Sequence, residues 1–577
     1  MTRRISGVLA LLTGLGVACS SDDSAEPSAK AECQATETTC SDDGFVLRTC
    51  ENGKWQDTEC MRDEGKLCEV DHCVEPWRWG NPTFDACSGH PKATAESLHE
   101  KAEYFEAISA RLHVNPKLGW MSDLVLPCAG SDCNTPAVPE TAATFDDVES
   151  WQTGENDGLW SALYMGAEAY RYAVTKDPKA LDMLKLLLRS EQDRMDITSV
   201  SGVFTRQLIP PGVPGIACPS DPKAYVPDVE KDDNRWVRVG SDGCLESADP
   251  TTLAFQKSAR CGLQKYAGWC FLDNVSEDEY AGHMFALGAV AKLVDDAEVK
   301  GVAVELLRRV GDHLIENELT FVDWDGRVTE HGKIWAGSFF GGYNAAMSLS
   351  FLKTIALATG DAKYETFYRD CLLQRSGENT CIHHIGATPK PYDDVLFPTG
   401  LNLGCKVNFN NYSMYMLSLH GLLWGKLDPE VRQKALHVLE DEMWNPAGYE
   451  RPLSEQNNAF FDFIYAAARP TGAASGPATA AVENGICMLQ EFPAHKLPVA
   501  LDCPAASCVE KCKDRFDEPM TDYPRPVSER CIARFVWWGS PYTATPCTAE
   551  PRVVKSPADY LVAYWMGRYY GFIGETS

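Results

Sequence analysis

The 577-residue sequence carries no P-loop, no G-x-G-x-x-G and no G-x-S-x-G. Neither a phosphate cradle nor the nucleophile elbow of an α/β-hydrolase therefore has a place in it, and no cofactor is expected. It contains no pair of C-x-x-C knuckles, which argues against a structural zinc site. The nearest metal-like groupings are Cys503, Cys508 and Cys512, or Cys68, His72 and Cys73. Beyond the first eighteen residues no apolar run is long enough for a membrane-spanning helix. Positive charge is scarce: 53 Lys and Arg face 82 Asp and Glu, a formal net charge of −29. That field repels phosphate backbones and argues against nucleic acid as a partner.

Hydrophobic residues make up 44% and aromatics 10% of the chain, enough for a large core. The opening "MTRRISGVLALLTGLGVA" has two arginines, a short apolar run and small residues, the pattern of a secretory signal. Its removal takes away only Arg3 and Arg4 among charged groups and leaves −31. The junction "LGVAC" resembles a bacterial lipobox, with Cys19 as the acylated residue, although Gly16 stands where Leu is usual. Cleavage near Ala18 without a lipid is the alternative. The polar stretch after Cys19, to about residue 32, suits a tether to the cell envelope. Of 23 cysteines, 22 remain after Cys19, an even number suited to disulfides in an oxidising compartment. Six of them crowd into residues 33–75, a module too small to fold without covalent help.

From about residue 77 the sequence reads as helical hairpins. The turns "AVTKDPKA", "KLVDDAEV", "LATGDAKY" and "WGKLDPEV" place Asp177, Asp296, Asp361 and Asp428 as N-caps between a wholly apolar segment and an amphipathic one. The last three lie 65 and 67 residues apart, one hairpin plus its loop. Apolar segments such as 157–174, 336–358 and 413–425 suit inner helices packed on every side. Further helices are expected at 93–113, 457–468 and 556–572, the last with Ser556 as N-cap and Pro557 at its first position. Eleven or so helices, alternately buried and half-exposed, predict an all-α, closed double ring. Loop-rich, Cys-containing insertions are expected near 209–270 and 470–550.

The stretches "ENDGLWSALYMGAEAYRYAVTKDP", "DEYAGHMFALGAVAKLVDD", "DHLIENELTFVDWDGRVTEHGK" and "DYLVAYWMGRYYGF" resemble bacterial members of the six-hairpin glycosidase-like superfamily. The resemblance covers roughly residues 90–573. It implies an (α/α)6 toroid whose cleft is lined by the starts of the inner helices. Glycoside hydrolases, polysaccharide lyases, epimerases and non-catalytic proteins share that fold, so activity does not follow from it.

The starts of the apolar segments are polar: Glu155, Asn156 and Asp157 before Trp160; Glu277, Asp278, Glu279 and Tyr280 before His283; Asn408, Asn410, Asn411 and Tyr412 before the helix at 413–425. Carboxylates, amides and aromatic faces gathered at one mouth are what an oligo- or polysaccharide needs. Asp157, Glu155, Asp278, Glu279 and His283 are the candidates for catalysis; Asn156, Trp160, Tyr280, Arg206, Asn411 and Tyr412 are those for binding. Hydrolysis needs one protonated and one ionised carboxyl. A lyase would instead use Tyr280 or His283 as base and Arg206 against a uronate. A surface protein that binds glycan or protein would need neither arrangement. Ser276-x-x-Glu279 also fits a capping box, so Glu279 has a purely structural alternative, and His283 reads first as a satisfied core histidine. Arg451, His331 and the pair His383 and His384 are weaker candidates.

Overall fold

The computed structural model describes residues 94–574 apart from 132, 227–233, 339–340, 378–380, 398–403, 426, 447–450, 470–476, 499–508 and 534, together with strand backbone between 38 and 74. The signal segment, Cys19 and the tether lie outside the described residues. Within the Cys-rich stretch, Thr38–Cys40, Val46–Glu51 and Lys54–Glu59 form an antiparallel sheet, and Leu67–Glu69 pairs with His72–Val74.

Twelve α-helices are present among the described residues: α1 (Ala95–Ile108), α2 (Asp157–Thr175), α3 (Pro178–Asp196), α4 (Glu277–Leu293), α5 (Ala297–Glu316), α6 (Gly342–Thr359), α7 (Ala362–Thr366), α8 (Phe409–Leu423), α9 (Pro429–His437), α10 (Ala459–Ala467), α11 (Pro477–Glu491) and α12 (Ala558–Tyr569). Helices α1, α7 and α9 each continue into a π-helical turn, over Ser109–His113, Phe367–Leu372 and Val438–Trp444.

The even-numbered helices close an inner ring. Helix α2 packs on α4, α4 on α6, α6 on α8, α8 on α10, α10 on α12, and α12 returns to α2. Each carries an outer partner: α3 on α2, α5 on α4, α7 on α6, α9 on α8, α11 on α10 and α1 on α12. Six hairpins thus form an (α/α)6 toroid around one continuous apolar core. Burial follows the pattern read from sequence. In α4, thirteen residues from Asp278 to Ala291 are buried, whereas α5 buries one stripe, including Val299, Ala303, Leu306, Leu307 and Val310. Apolar residues recurring at three- and four-residue steps give α5 its single inward face.

The Asp turns behave locally as expected. Asp177, Asp296 and Asp361 accept hydrogen bonds from the backbone N–H groups of Lys179, Val299 and Lys363. Asp428 occupies the cap position before Pro429, but its side chain makes no capping bond. Arg171 on α2 locks the layers further, reaching Glu106 on α1 (3.3 Å), Glu168 on α2 (3.2 Å) and the cap Asp177 (2.7 Å).

Four expectations need correction. Helix α8 begins at Phe409 rather than 413, so Asn411 and Tyr412 lie inside its first turn. Helix α12 begins at Ala558 with Pro557 as its cap, one residue later than Ser556 implied. Helix α11 falls in the segment expected to be loop; its Thr479, Asn484 and Gly485 dilute the helical signal, and packing on α10 overrides propensity. The insertion after α3 is a five-stranded antiparallel sheet, in the order Phe255–Lys257, Leu245–Ala248, Trp236–Val239, Cys270–Leu272, Gln207–Ile209. Disulfides Cys218–Cys270 and Cys244–Cys261 pin that sheet.

Other cysteines pair as Cys128–Cys133, Cys371–Cys381, Cys405–Cys512 and Cys531–Cys547, and Cys50 and Cys487 are also disulfide-bonded. The bond to Cys405 removes Cys512 from the zinc grouping. No helix among the described residues is long and apolar enough to cross a membrane.

Candidate functional site

The N-termini of α2, α4, α6 and α8 meet at one mouth, tied together by side chains. Asp278, in the first turn of α4, accepts hydrogen bonds from three elements. Asn156 at the N-cap of α2 donates its amide to Oδ2 (3.3 Å), and Asn410 of α8 donates to the same oxygen (3.1 Å). Ser276 donates its hydroxyl to Oδ1. Asn410 in turn accepts from the indole N–H of Trp538, in the segment before α12. Beside it, Trp160 stacks on Phe535 with ring centroids 4.9 Å apart and meets Trp538 edge-on at 5.6 Å. Trp160, Trp538, Asn156 and Asn410 are all partly exposed.

Glu277 precedes Asp278 and is half-buried. Tyr343 of α6 donates its hydroxyl to Glu277 Oε1 (3.0 Å). Withdrawal from water pushes the Glu277 carboxyl up to about 8 against the opposing hydrogen bond from Tyr343, and neighbouring Asp278 adds to the rise. At neutral pH this partly exposed carboxyl keeps its proton.

Below the mouth is a sealed, charged layer. Asp157 is 6% exposed; its Oδ1 accepts the Gly154 N–H (2.9 Å), and Oδ2 has no hydrogen-bond partner in the protein. Glu279 is fully buried, and neither of its carboxyl oxygens has a hydrogen-bond partner. Burial raises both groups to about 8, against the pull of Arg194 on Asp157 and of Arg206 on Glu279. Asp157 adds to the rise of Glu279, placing the two acids within electrostatic reach.

His283, one turn along α4, is fully buried. Its Nδ1 lies 2.7 Å from Glu191 Oε2 on α3, and its ring stacks on Phe204 at 4.2 Å. Arg206 reaches up from this layer. Its Nε donates to the Asn274 carbonyl (2.7 Å), and its Nη1 donates to the Glu155 carbonyl (3.2 Å) and Asn156 Oδ1 (3.0 Å) while standing 3.6 Å from Glu279 Oε2.

The sequence candidates thus separate into groups. Asn156, Trp160 and Asp278 stand together at the mouth. Asp157, Glu279, His283 and Arg206 lie together beneath it. Glu155 is exposed, and only its backbone carbonyl enters the network.

Glu279 is no cap. Ser276 makes no capping bond, its hydroxyl turning to Asp278 instead, so the capping-box reading is corrected. Tyr280 is a core residue: it is fully buried, stacked on Phe321 at 3.6 Å, and donates its hydroxyl to the Gly202 carbonyl (2.6 Å). Tyr412 is 3% exposed, with its ring 5.4 Å from Phe409, and Asn411 is partly exposed next to Asn410.

Arg451 donates to the Thr521 carbonyl (2.9 Å) and covers the Tyr542 ring, a packing role away from the mouth. His383 and His384 both serve Glu318, at 3.0 Å from Oε1 and 2.9 Å from the carbonyl oxygen, and His331 is exposed beside Glu330. Asp393, Asp394 and Glu430 form an acidic trio of metal-binding geometry, but Lys434 already bonds all three and Arg375 bonds Asp393.

Three residues central to this geometry escaped the candidate set: Glu277, Asn410 and Trp538. Glu277 and Asn410 stand within the polar helix starts and were readable there. Trp538 lies far along the chain, and only the closed ring brings it to Asn410.

No family model and no curated protein matches the sequence. Among solved structures the chain is similar to the GH76A alpha-1,6-mannanase from Salegentibacter sp. HEL1_6, with 10% identity, 82% of this chain and 99% of that chain covered, and a TM-score of 0.35. It is also similar to the unsaturated glucuronyl hydrolase of Streptococcus agalactiae (8% identity, 87% and 99% covered, TM-score 0.33). The endoglucanase CelQ of Clostridium thermocellum gives 11% identity, 82% and 69% covered, and a TM-score of 0.35.

Proposed function

We propose that the protein is a carbohydrate-active hydrolase whose reaction centre is the mouth formed by α2, α4, α6 and α8. The observation that carries this reading is Asp278, held by donors from α2 and α8 beside Glu277, which keeps its proton. The two carboxyls have different environments, as acid and base chemistry at one pH requires. Asp278, fixed by Asn156, Asn410 and Ser276, serves as the carboxylate that attacks the anomeric carbon or activates water. Glu277 delivers its proton to the departing glycosidic oxygen. Trp160 and Trp538 offer ring faces to a pyranose, and Asn156, Asn410 and Asn411 meet hydroxyls.

The catalytic pair thus moves from Asp157 and Glu279 in the buried layer to Glu277, which is half-buried, and Asp278, which is 8% exposed but bonded to the partly exposed Asn156 and Asn410. A lyase is disfavoured by the same geometry. Tyr280 and His283 lie in the interior, and the Nε and Nη1 groups of Arg206 are already engaged, so the three groups a lyase reading relied on do not stand free at the mouth.

The test is turnover on a panel of neutral and acidic oligosaccharides by wild type, Asp278→Asn and Glu155→Gln. Loss of hydrolysis in the first variant alone, at an unchanged melting temperature, supports the reading. Full activity in Asp278→Asn removes it.

A further inference from the structure

The layer beneath the mouth holds more unpaired polar atoms than packing requires. Asp157 Oδ2, Arg194 Nη2, Gln207 Oε1, Glu279 Oε1 and His283 Nε2 are buried without a hydrogen-bond partner in the protein, while His283 Nδ1 faces Glu191 Oε2 at 2.7 Å and Glu279 Oε2 faces Arg206 at 3.6 Å. Buried polar groups are ordinarily paired, and a concentration of exceptions marks a place where protonation or polar occupancy matters.

The layer is also compact. Glu279 Oε1 and His283 Nε2 each lie 3.0 Å from the point where a Cβ on Gly158 would stand, which bounds their separation at about 6 Å. Asp157 from α2, Arg194 from α3, Asp278 from α4 and Arg206 from the segment entering the sheet all act electrostatically on Glu279, and His283 pairs with Glu191 beside it.

One continuous path leads out. From Glu279 it runs to Arg206 (3.6 Å), to Asn156 (3.0 Å), to Asp278 (3.3 Å), to Asn410 (3.1 Å) and on to the Trp538 indole. Arg206 Nη1 is shared between Glu279 below and Asn156 above. A neutral Glu279 leaves the guanidinium to the Asn156 carbonyl oxygen, which aims the amide N–H at Asp278. An ionised Glu279 competes for the same N–H group, because a charge-assisted bond is roughly twice as strong as a neutral one.

We propose that Glu279 is a positioning residue: its protonation in the buried layer, relayed through the shared Arg206, sets the geometry of Asn156, Asp278 and Trp538 at the mouth. This rests on the hydrolase reading only in what the geometry is for; the coupling itself is a property of the protein without substrate.

The readout is accordingly spectroscopic. The full chain is labelled with 5-fluorotryptophan, Trp538 is assigned through Trp538→Phe, and its fluorine resonance is followed from about pH 6 to about pH 9.5, across the value of about 8 set by burial of Glu279. The resonance is expected to titrate near pH 8 in wild type, to stop titrating in Glu279→Gln, and to persist with a lowered midpoint in Asp157→Asn. Asn156→Ala leaves Glu279 intact but cuts the path, and should also silence the Trp538 titration. That variant stands in if Glu279→Gln does not fold. A resonance flat across this range in wild type, or titrating unchanged in Glu279→Gln or Asn156→Ala, overturns the proposal. Alkaline loss of turnover would not separate Glu279 from Glu277, which titrates in the same range. A silent panel of glycans would count against the hydrolase reading while leaving this coupling in place.

Discussion

Gly158 of α2 faces His283 of α4 so closely that a Cβ would stand 3.0 Å from Nε2 and 3.2 Å from Cε1, with Glu279 Oε1 equally near. Two inner helices therefore approach here because one residue has no side chain. Gly158→Ala should destabilise the fold by about 1–3 kcal/mol through overpacking, despite the better helix propensity of alanine. Gly301→Ala in α5 is the control: nothing lies within 4 Å of its Cβ position, and the site is exposed. That variant should be neutral or up to about 1 kcal/mol more stable. The denaturant midpoint should fall for Gly158→Ala and hold or rise for Gly301→Ala; an unchanged or raised midpoint in Gly158→Ala would show that the 158 contact is not tight.

Stability should fall as pH rises toward 8 because of Asp157 and Glu279. Burial raises both native carboxyls to about 8, far above the ordinary values of 3.8 and 4.5 that an unfolded chain restores. Between those limits the native state holds protons that the unfolded state has lost. Their contribution is complete below the unfolded values and disappears as pH climbs through about 8, each group adding a slope of up to about 1.4 kcal/mol per pH unit. His113, His313 and His420 act oppositely: burial lowers them to about 4, about 4 and about 3, so their contribution is lost as pH falls below the ordinary 6.5. From pH 7 to 8 the acids act without the histidines. Asp157→Asn and Glu279→Gln should each flatten the stability curve in that window, measured by chemical denaturation at fixed ionic strength.

The ring was legible in the sequence because its signals are local. An Asp before a helix can cap the next N–H groups by itself, as Asp177, Asp296 and Asp361 do, and a long apolar segment suits an inner helix. The site was legible halfway. Polar residues at helix starts pointed to the mouth, but which of three successive acids faces solvent depends on neighbours that local pattern cannot supply. Ser276 and Glu279 have capping-box spacing, yet the Ser276 hydroxyl turns to Asp278 and Glu279 drops against Gly158. Trp538 and Asn410 are 128 residues apart in sequence, and their contact exists only once the ring closes. The five-stranded sheet was hidden because its strands are three or four residues long and separated by Gly- and Pro-rich turns.

Disulfides should hold that sheet together. Cys218 and Cys270 bridge 52 residues, and Cys244 and Cys261 bridge 17. Replacing the first pair by serine should cost about 2–4 kcal/mol, with the loss seen first as faster proteolysis within 207–272. Such bonds persist in oxidising compartments, which supports export. Lipidation at Cys19 is a separate proposal: Cys19→Ser should move the protein from the membrane fraction to the soluble one, and an unmodified N-terminus in the native protein would refute it.

Glu277 gives the sharpest test of the chemistry. As a half-buried carboxyl protonated at neutral pH, it should lose its proton as pH rises through about 8, and hydrolysis should fall there. Glu277→Gln retains shape and the contact with Tyr343 but has no proton to give. Turnover of a natural glycoside should drop by about 10²–10⁴-fold, the usual worth of general acid catalysis. A substrate whose leaving group needs no protonation, such as a dinitrophenyl glycoside, should be hydrolysed nearly as fast as by wild type, and the alkaline limb should vanish with it. Asp278→Asn should show no such recovery, since the departing oxygen is not its concern. Equal losses on both substrates in Glu277→Gln would assign the proton to another group and leave Glu277 as a partner of Tyr343 alone.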